Sequence, residues 1–219
     1  TVNAVKTPLT QTDFSAYIAP VLQSGADVLV LNHYGGNMVN SLTNAVQFGL
    51  RDKIVNGKQF EIVVPLYSRL MARGAGENVK GIFGSTNWHW SLTDAGSKAF
   101  VKSFGTKYGF PPSQAAHTVY CQTLLYADAC QRAGSHNPCA VAEALEGFEF
   151  DGLGNGKTLY RAEDHQCFKD VLVVKGKENP TSEFDLLEVV EVTPAAQVTY
   201  AVDHPMFAGG QLGACNAGS

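Results

Sequence analysis

Apolar positions along the first half of the chain recur with two alternating periods. Residues 2–5 form a short apolar run of strand length. Phe14, Tyr17, Ile18, Val21 and Leu22 then fall at helical spacing, with Asp13 placed to cap the helix, Gly25 to close it and Pro20 to kink it. Residues 27–31 (Asp-Val-Leu-Val-Leu) are almost continuously apolar, the pattern of a parallel strand covered on both faces. A helix is predicted through Met38, Leu42, Ala45, Val46 and Leu50. A strand over 60–64 ends at Pro65, and another begins at 79–83 and runs on toward Trp88. A helix over 94–108 turns Phe100, Val101 and Phe104 inward. Strand and helix in alternation predict an α/β architecture with a doubly wound sheet.

The sequence Gly109-Phe110-Pro111-Pro112 interrupts this order. A long helix is predicted over 113–132 and a shorter one over 138–146. Residues 148–150 and 158–161 read as two strands around a Gly-rich turn, with further strands over 171–174 and 186–192. Residues 208–219 form a tail of small side chains. No internal repeat is present.

Of the 219 residues, 45% are apolar and 16% charged, which supports a packed core and excludes a disordered chain. The net charge of −4, with Lys and Arg scattered, gives no electrostatic footprint for nucleic acid. Five cysteines need an account. Cys130 and Cys139 flank a short interhelical loop that a disulfide would staple, and Cys167 with Cys215 would tie down the tail. Cys121 lies in an apolar helix and reads as a buried thiol. Without any C-x-x-C, neither a zinc site nor a thioredoxin-type site is expected, and no metal or cofactor is implied.

Two glycine motifs are decoys. Residues 152–158 end like a P-loop, but Asp151 stands where its first glycine belongs and the segment joins two strands. Gly74-Ala75-Gly76 lacks the third glycine of a dinucleotide fingerprint. Neither a G-x-S-x-G elbow nor H-E-x-x-H occurs, so the chain reads as a binder, not an enzyme.

Several blocks occur together in a recognisable order. They are Thr12-Asp13-Phe14-Ser15, Ser24-Gly25-Ala26-Asp27-Val28, Gly35-Gly36-Asn37 and Phe48-Gly49-Leu50. After them come Phe100-Val101-Lys102 with Lys107-Tyr108-Gly109, then Pro111-Pro112-Ser113-Gln114, Ala144-Leu145-Glu146-Gly147 and Arg161-Ala162-Glu163-Asp164-His165-Gln166. In this order they resemble the leucine/isoleucine/valine-type periplasmic binding proteins of ABC importers, to about residue 192. The resemblance implies a type I periplasmic-binding-protein fold: two Rossmann-like lobes, joined by crossovers, with a solute in the cleft. It also implies that the N-terminal half is missing from this chain. Residues 1–112 would then be a portion of the second lobe, 113–165 a portion of the first, and 166–219 a return to the second lobe and the tail. The implied partners are a small-molecule ligand, an ABC-transporter permease and the N-terminal half, supplied in the same protein or as a second chain. The implied location is periplasmic or extracellular. A ligand-sensing receptor on the same fold is the alternative, because fold does not fix function.

Within that frame the loop over 32–37 is the strongest site. It follows a strand and opens a helix, where open α/β sheets bind ligands. Gly35 and Gly36 allow close backbone approach, and the helix start at Asn37 favours an anionic group. Tyr34 matches a ligand-contacting tyrosine of the amino-acid binders. Those binders also hold the ligand's ammonium with a glutamate near the end of the next strand, where this chain has Pro65-Leu66-Tyr67. A buried ammonium without a carboxylate is costly. The expected solute is therefore an organic acid, an aromatic or an amide in preference to a simple amino acid. Tyr67, Trp88 and Trp90 are its candidate aromatic contacts, and Asp164 and His165 fall at a matched crossover as candidate hinge residues.

Overall fold

The computed structural model describes residues 2–205 and Cys215. In chain order the helices are α1 (Ser15–Ile18), α2 (Gly36–Gln47), α3 (Arg69–Ala75), α4 (Ala95–Tyr108), α5 (Gln114–Ala133), α6 (Pro138–Leu145) and α7 (Ala195–Val198). The strands are β1 (Val28–Val30), β2 (Ile54–Val55), β3 (Lys58–Gln59), β4 (Glu61–Val64), β5 (Phe83–Thr86), β6 (Glu149–Phe150), β7 (Thr158–Tyr160), β8 (Cys167–Phe168), β9 (Val171–Gly176) and β10 (Leu187–Thr193). The chain divides into two compact units, one made of Thr1–His89 with Leu172–Glu191 and the other of Trp90–Val171 with Val192–Ser219.

The first unit is built on a five-stranded sheet in the order β1-β4-β5-β9-β10. β1, β4 and β5 run parallel, whereas β9 pairs antiparallel with β5, with Phe83 opposite Lys175 and Thr86 opposite Leu172. The sheet is therefore mixed. The core gathers Phe14, Met38, Leu42, Ala45, Leu50, Val64, Ala72, Leu172 and Val174, each with no exposed surface.

The structure departs from the sequence pattern at four places. Residues 2–5 form no strand; Val2 and Val5 are exposed and pair with nothing in the sheet. The first helix stops at Ile18 and continues as a 3-10 turn over Ala19–Gln23, because Pro20 has no N–H for an α-helical bond. β1 is an edge strand with Val28 and Val30 half exposed, so it is not covered on both faces. The run from residue 79 enters its strand only at Phe83, because Gly76–Val79 closes as a 3-10 turn.

In the second unit, α5 is the longest helix, capped by Ser113, whose hydroxyl accepts from the Ala116 N–H. Its inner stripe is His117, Cys121, Leu125 and Ala129, at a spacing of four. The buried His117 ring meets the Leu153 carbonyl at 2.5 Å, and Tyr120 stacks on Phe100 at 4.5 Å between ring centroids. Val119, Tyr120 and Leu124 form a second, solvent-facing apolar stripe. β6, β7 and β8 make a small antiparallel sheet. The Gly-rich stretch 152–158 joins β6 to β7 and starts no helix, as its sequence implied.

The cysteine pairing also differs from expectation. Cys139 is bonded to Cys215, with Cα atoms 5.5 Å apart, while Cys121, Cys130 and Cys167 are free. α6 meets the Cys130 side of α5 through Val141, with Ala144 and Leu145 beside it. Cys139 lies two residues before Val141, about 200° around the helix, and so projects away from Cys130. Apart from Cys215, the small-residue tail lies outside the described residues.

Candidate functional site

In a parallel sheet the free carbonyl ends and the loops into the following helices lie along one edge. Tyr34, Tyr67 and Trp88 follow the carboxyl ends of β1, β4 and β5, three adjacent strands of the first unit. Trp90 belongs to the second unit and is half-buried.

The loop after β1 is the open part of this edge. Leu31 N–H donates to the Val63 carbonyl at 2.9 Å, and the chain then leaves the sheet. Tyr34 is 53% exposed. Gly35 precedes α2 at φ 59° and ψ −135°, backbone that a side chain would strain. No side chain caps α2, whereas Ser68, Asp94, Ser113 and Asn137 cap α3, α4, α5 and α6. The first N–H groups of this 12-residue helix thus open beside Tyr34 without a capping side chain among the described residues. Asn37 does not fill that role, since its side-chain amide donates to the Leu9 carbonyl at 3.2 Å.

The exit of β4 is closed. Leu66 is exposed, but Tyr67 is buried, with 1% of its surface accessible. Its N–H donates to the Ser85 carbonyl at 2.8 Å, and its ring lies over β5 at Gly84. A Cβ at Gly84 would stand 2.3 Å from the Val64 carbonyl oxygen and 2.6 Å from the Tyr67 Cδ1, so only glycine admits the ring. The Tyr67 hydroxyl is buried without a hydrogen-bond partner among the described residues, and burial pushes its pKa well above the ordinary phenol value. Tyr67 is therefore core as well as edge, not a surface wall.

After β5, Trp88 and His89 are buried. Burial above all, with the Lys177 charge next, draws the His89 pKa down to about 4, against a smaller opposing effect of Asp185. His89 is neutral at physiological pH.

The candidate hinge pair lies in the second unit. Arg161 grips Asp164 with two nitrogens, Nε at 2.9 Å and Nη2, and the Gln166 N–H donates to the same carboxylate. The guanidinium holds the Asp164 carboxyl below its usual range. His165 adopts φ 54° and meets Glu146 at 2.8 Å.

A groove of about 350 Å³ opens at the opposite, amino ends of β4 and β5, between Arg51, Glu61, Lys80, Phe83, Lys175 and Glu178. Its rim mixes both signs of charge, and it lies away from the edge where helix starts and glycine loops converge. Among the described residues, no cluster of three metal-ligating side chains and no helix long and apolar enough to cross a membrane occurs.

A carboxyl edge carrying a glycine loop and an uncapped helix start is the place where open α/β sheets take up ligands, which makes the chain an α/β protein with a candidate ligand edge. The chain belongs to the periplasmic binding protein family, whose model matches residues 1–181. Its fold is shared with an amino-acid ABC-transporter substrate-binding protein from Pseudomonas fluorescens Pf-5, at 24% identity and TM-score 0.77 over 90% of this chain and 52% of that one. A branched-chain amino-acid ABC-transporter ligand-binding protein from Burkholderia xenovorans LB400 is 26% identical, with TM-score 0.72 over 90% of this chain and 51% of that one. A solute-binding protein from Rhodopseudomonas palustris HaA2, solved with p-hydroxybenzoic acid, is 18% identical, with TM-score 0.75 over 89% of this chain and 52% of that one. The chain thus spans about half the length of these solved structures. No curated protein matches it. The type I periplasmic-binding-protein fold implied by the sequence blocks is the fold observed, in part.

Proposed function

We propose that this chain is part of an extracytoplasmic receptor of an ABC importer, which captures a small organic acid, aromatic or amide and hands it to a membrane permease without converting it. The observation that carries this is the uncapped start of α2 beside the exposed Tyr34, at the carboxyl edge of the sheet of a periplasmic binding protein. Backbone N–H groups at a helix start favour a carboxylate or carbonyl oxygen. The exit of β4 carries Pro65-Leu66-Tyr67 and no carboxylate, which disfavours an ammonium and leaves the Tyr67 hydroxyl with capacity for one hydrogen bond. Trp88, buried after β5, is the next aromatic along this edge of the first unit. The p-hydroxybenzoic acid bound by the Rhodopseudomonas palustris neighbour has this chemistry, a carboxylate and a phenol on one ring.

In this scheme residues 1–112 contribute to the second lobe, 113–165 to the first, and 166–219 return to the second. Asp164 and His165 serve the hinge. An N-terminal half, preceding this stretch or supplied as a second chain, would cover the apolar stripe of Val119, Tyr120 and Leu124 on α5, consistent with the half-length match. The Cys139–Cys215 bond fits a periplasmic or extracellular setting. Calorimetry on the full-length protein with p-hydroxybenzoate and leucine tests the assignment. Tyr34→Ala should weaken binding of the aromatic acid by about 1–3 kcal/mol, the worth of a buried hydrogen bond lost with its partner left unpaired.

A further inference from the structure

We infer that His33 is the positioning residue of the 32–37 loop, acting as a neutral imidazole protonated on Nδ1 that ties this loop both to α2 and to the segment over 7–9. The proton assignment follows from its partners. Nδ1 of His33 lies 2.9 Å from the Ser41 hydroxyl oxygen. That hydroxyl is fully buried and donates its one proton to the Met38 carbonyl at 3.2 Å. With that proton on Met38, Ser41 accepts from the ring and Nδ1 carries the hydrogen; the opposite tautomer would turn the hydroxyl toward the ring, and ring NMR distinguishes the two. Nε2 is then an acceptor, and the Thr7 hydroxyl, 3.0 Å away, donates to it. Phe14 packs against the ring at 4.7 Å between centroids, and burial draws the His33 pKa down, which keeps the ring neutral.

The consequence for the loop is geometric. His33 precedes Tyr34 directly, and Asn37 is pinned from the other side by its bond to the Leu9 carbonyl. Phe14 N–H donates to Asn44 Oδ1 at 2.8 Å and fixes the far end of the same segment on α2. Tyr34, Gly35 and Gly36 are thus strung between two anchored residues. Beyond the Gly35 carbonyl, which accepts from the Val39 N–H at 3.2 Å, the stretch is held in shape by His33 and Asn37. Since this rests on the solute-binding reading of the loop, its test needs a readout without ligand.

That readout is nitrogen-15 NMR of the histidine rings, with amide hydrogen exchange over residues 34–38, on the full chain. The His33 ring should show a protonated Nδ1 and an unprotonated Nε2. His33→Asn places an amide nitrogen where Nδ1 sits and keeps the donor to Ser41, whereas His33→Gln reaches toward Thr7 and leaves Ser41 without a donor. The Gln variant should raise loop exchange by about tenfold, as expected for one lost hydrogen bond. The Asn variant should recover most of the protection, with β4 amides unchanged in both. An Nε2–H ring, or loop exchange unmoved by both variants, overturns the inference. Titration with p-hydroxybenzoate and leucine separates the two claims. Faster loop exchange in a protein that binds neither probe keeps the positioning role and refutes the solute reading of the loop. Weaker p-hydroxybenzoate binding in the Gln variant than in the Asn variant supports both.

Discussion

Tyr67→Phe removes a single oxygen, and the structure gives the effect opposite signs in two measurements. The hydroxyl is buried, and among the described residues no atom accepts from it or donates to it. A buried hydroxyl without a partner costs about 1–3 kcal/mol of desolvation. Phenylalanine keeps the ring, its packing over Gly84 and the backbone bond to Ser85, so nothing else is lost. The variant should therefore be more stable than the parent by about 1 kcal/mol, a rise in Tm of about 2–4 °C for a chain of this size. If the same oxygen meets the solute, affinity for p-hydroxybenzoate should fall by about 0.5–1.5 kcal/mol, or roughly two- to tenfold in Kd. Differential scanning calorimetry without ligand and titration calorimetry with it measure the two sides. A Tm lowered by several degrees would instead show that the hydroxyl is satisfied in the folded protein. A raised Tm with unchanged affinity would remove Tyr67 from the solute site.

Other consequences follow from burial and close packing. The folded-state pKa of His89 lies near 4 and its unfolded value near 6.5, so above pH 6.5 it contributes no pH dependence. As pH falls from 6.5 toward 4 the unfolded chain takes up a proton that the folded one refuses, which costs at most about 3 kcal/mol. His117, also drawn down to about 4 by burial, acts in the same direction, and urea unfolding as a function of pH should show the loss. Gly84→Ala should destabilise the first unit by about 1–3 kcal/mol or more, measured by thermal unfolding, because its Cβ would overlap the Val64 carbonyl and the Tyr67 ring. Thiol titration of the oxidised, unfolded chain should count three thiols, Cys121, Cys130 and Cys167. Replacing Cys139 and Cys215 by serine should cost about 4.5 kcal/mol in the chain-entropy model for a loop closed across 76 residues.

The helices were legible because their signals are local. Asp94, Ser113 and Asn137 each sit one residue before a helix and each accepts from an N–H inside it, so cap and periodicity agree. The strand-to-helix loop at 32–37 was legible for the same reason. The β2–β3 hairpin was also written locally, in Asn56-Gly57, whose φ values of 51° and 77° are those of a tight hairpin turn, but its strands have two residues each and carry no periodicity. What depends on distant residues was not legible. The burial of Tyr67 is decided by Gly84, and the exposure of Val28 and Val30 by the edge position of β1. The antiparallel entry of β9 follows from pairing across nearly ninety residues, which no short window contains. The disulfide illustrates the same limit. Proximity in sequence favoured Cys130 for Cys139, whereas helix rotation turned Cys139 toward Cys215.

Titration calorimetry of the full-length protein with p-hydroxybenzoate and with leucine, side by side and repeated with Tyr34→Ala, decides whether the 32–37 loop binds an aromatic acid. The predicted result is measurable binding of the aromatic acid, weakened by about 1–3 kcal/mol in the variant, with leucine the poorer ligand. Tight leucine binding with the aromatic acid silent, or binding indifferent to Tyr34, would contradict it.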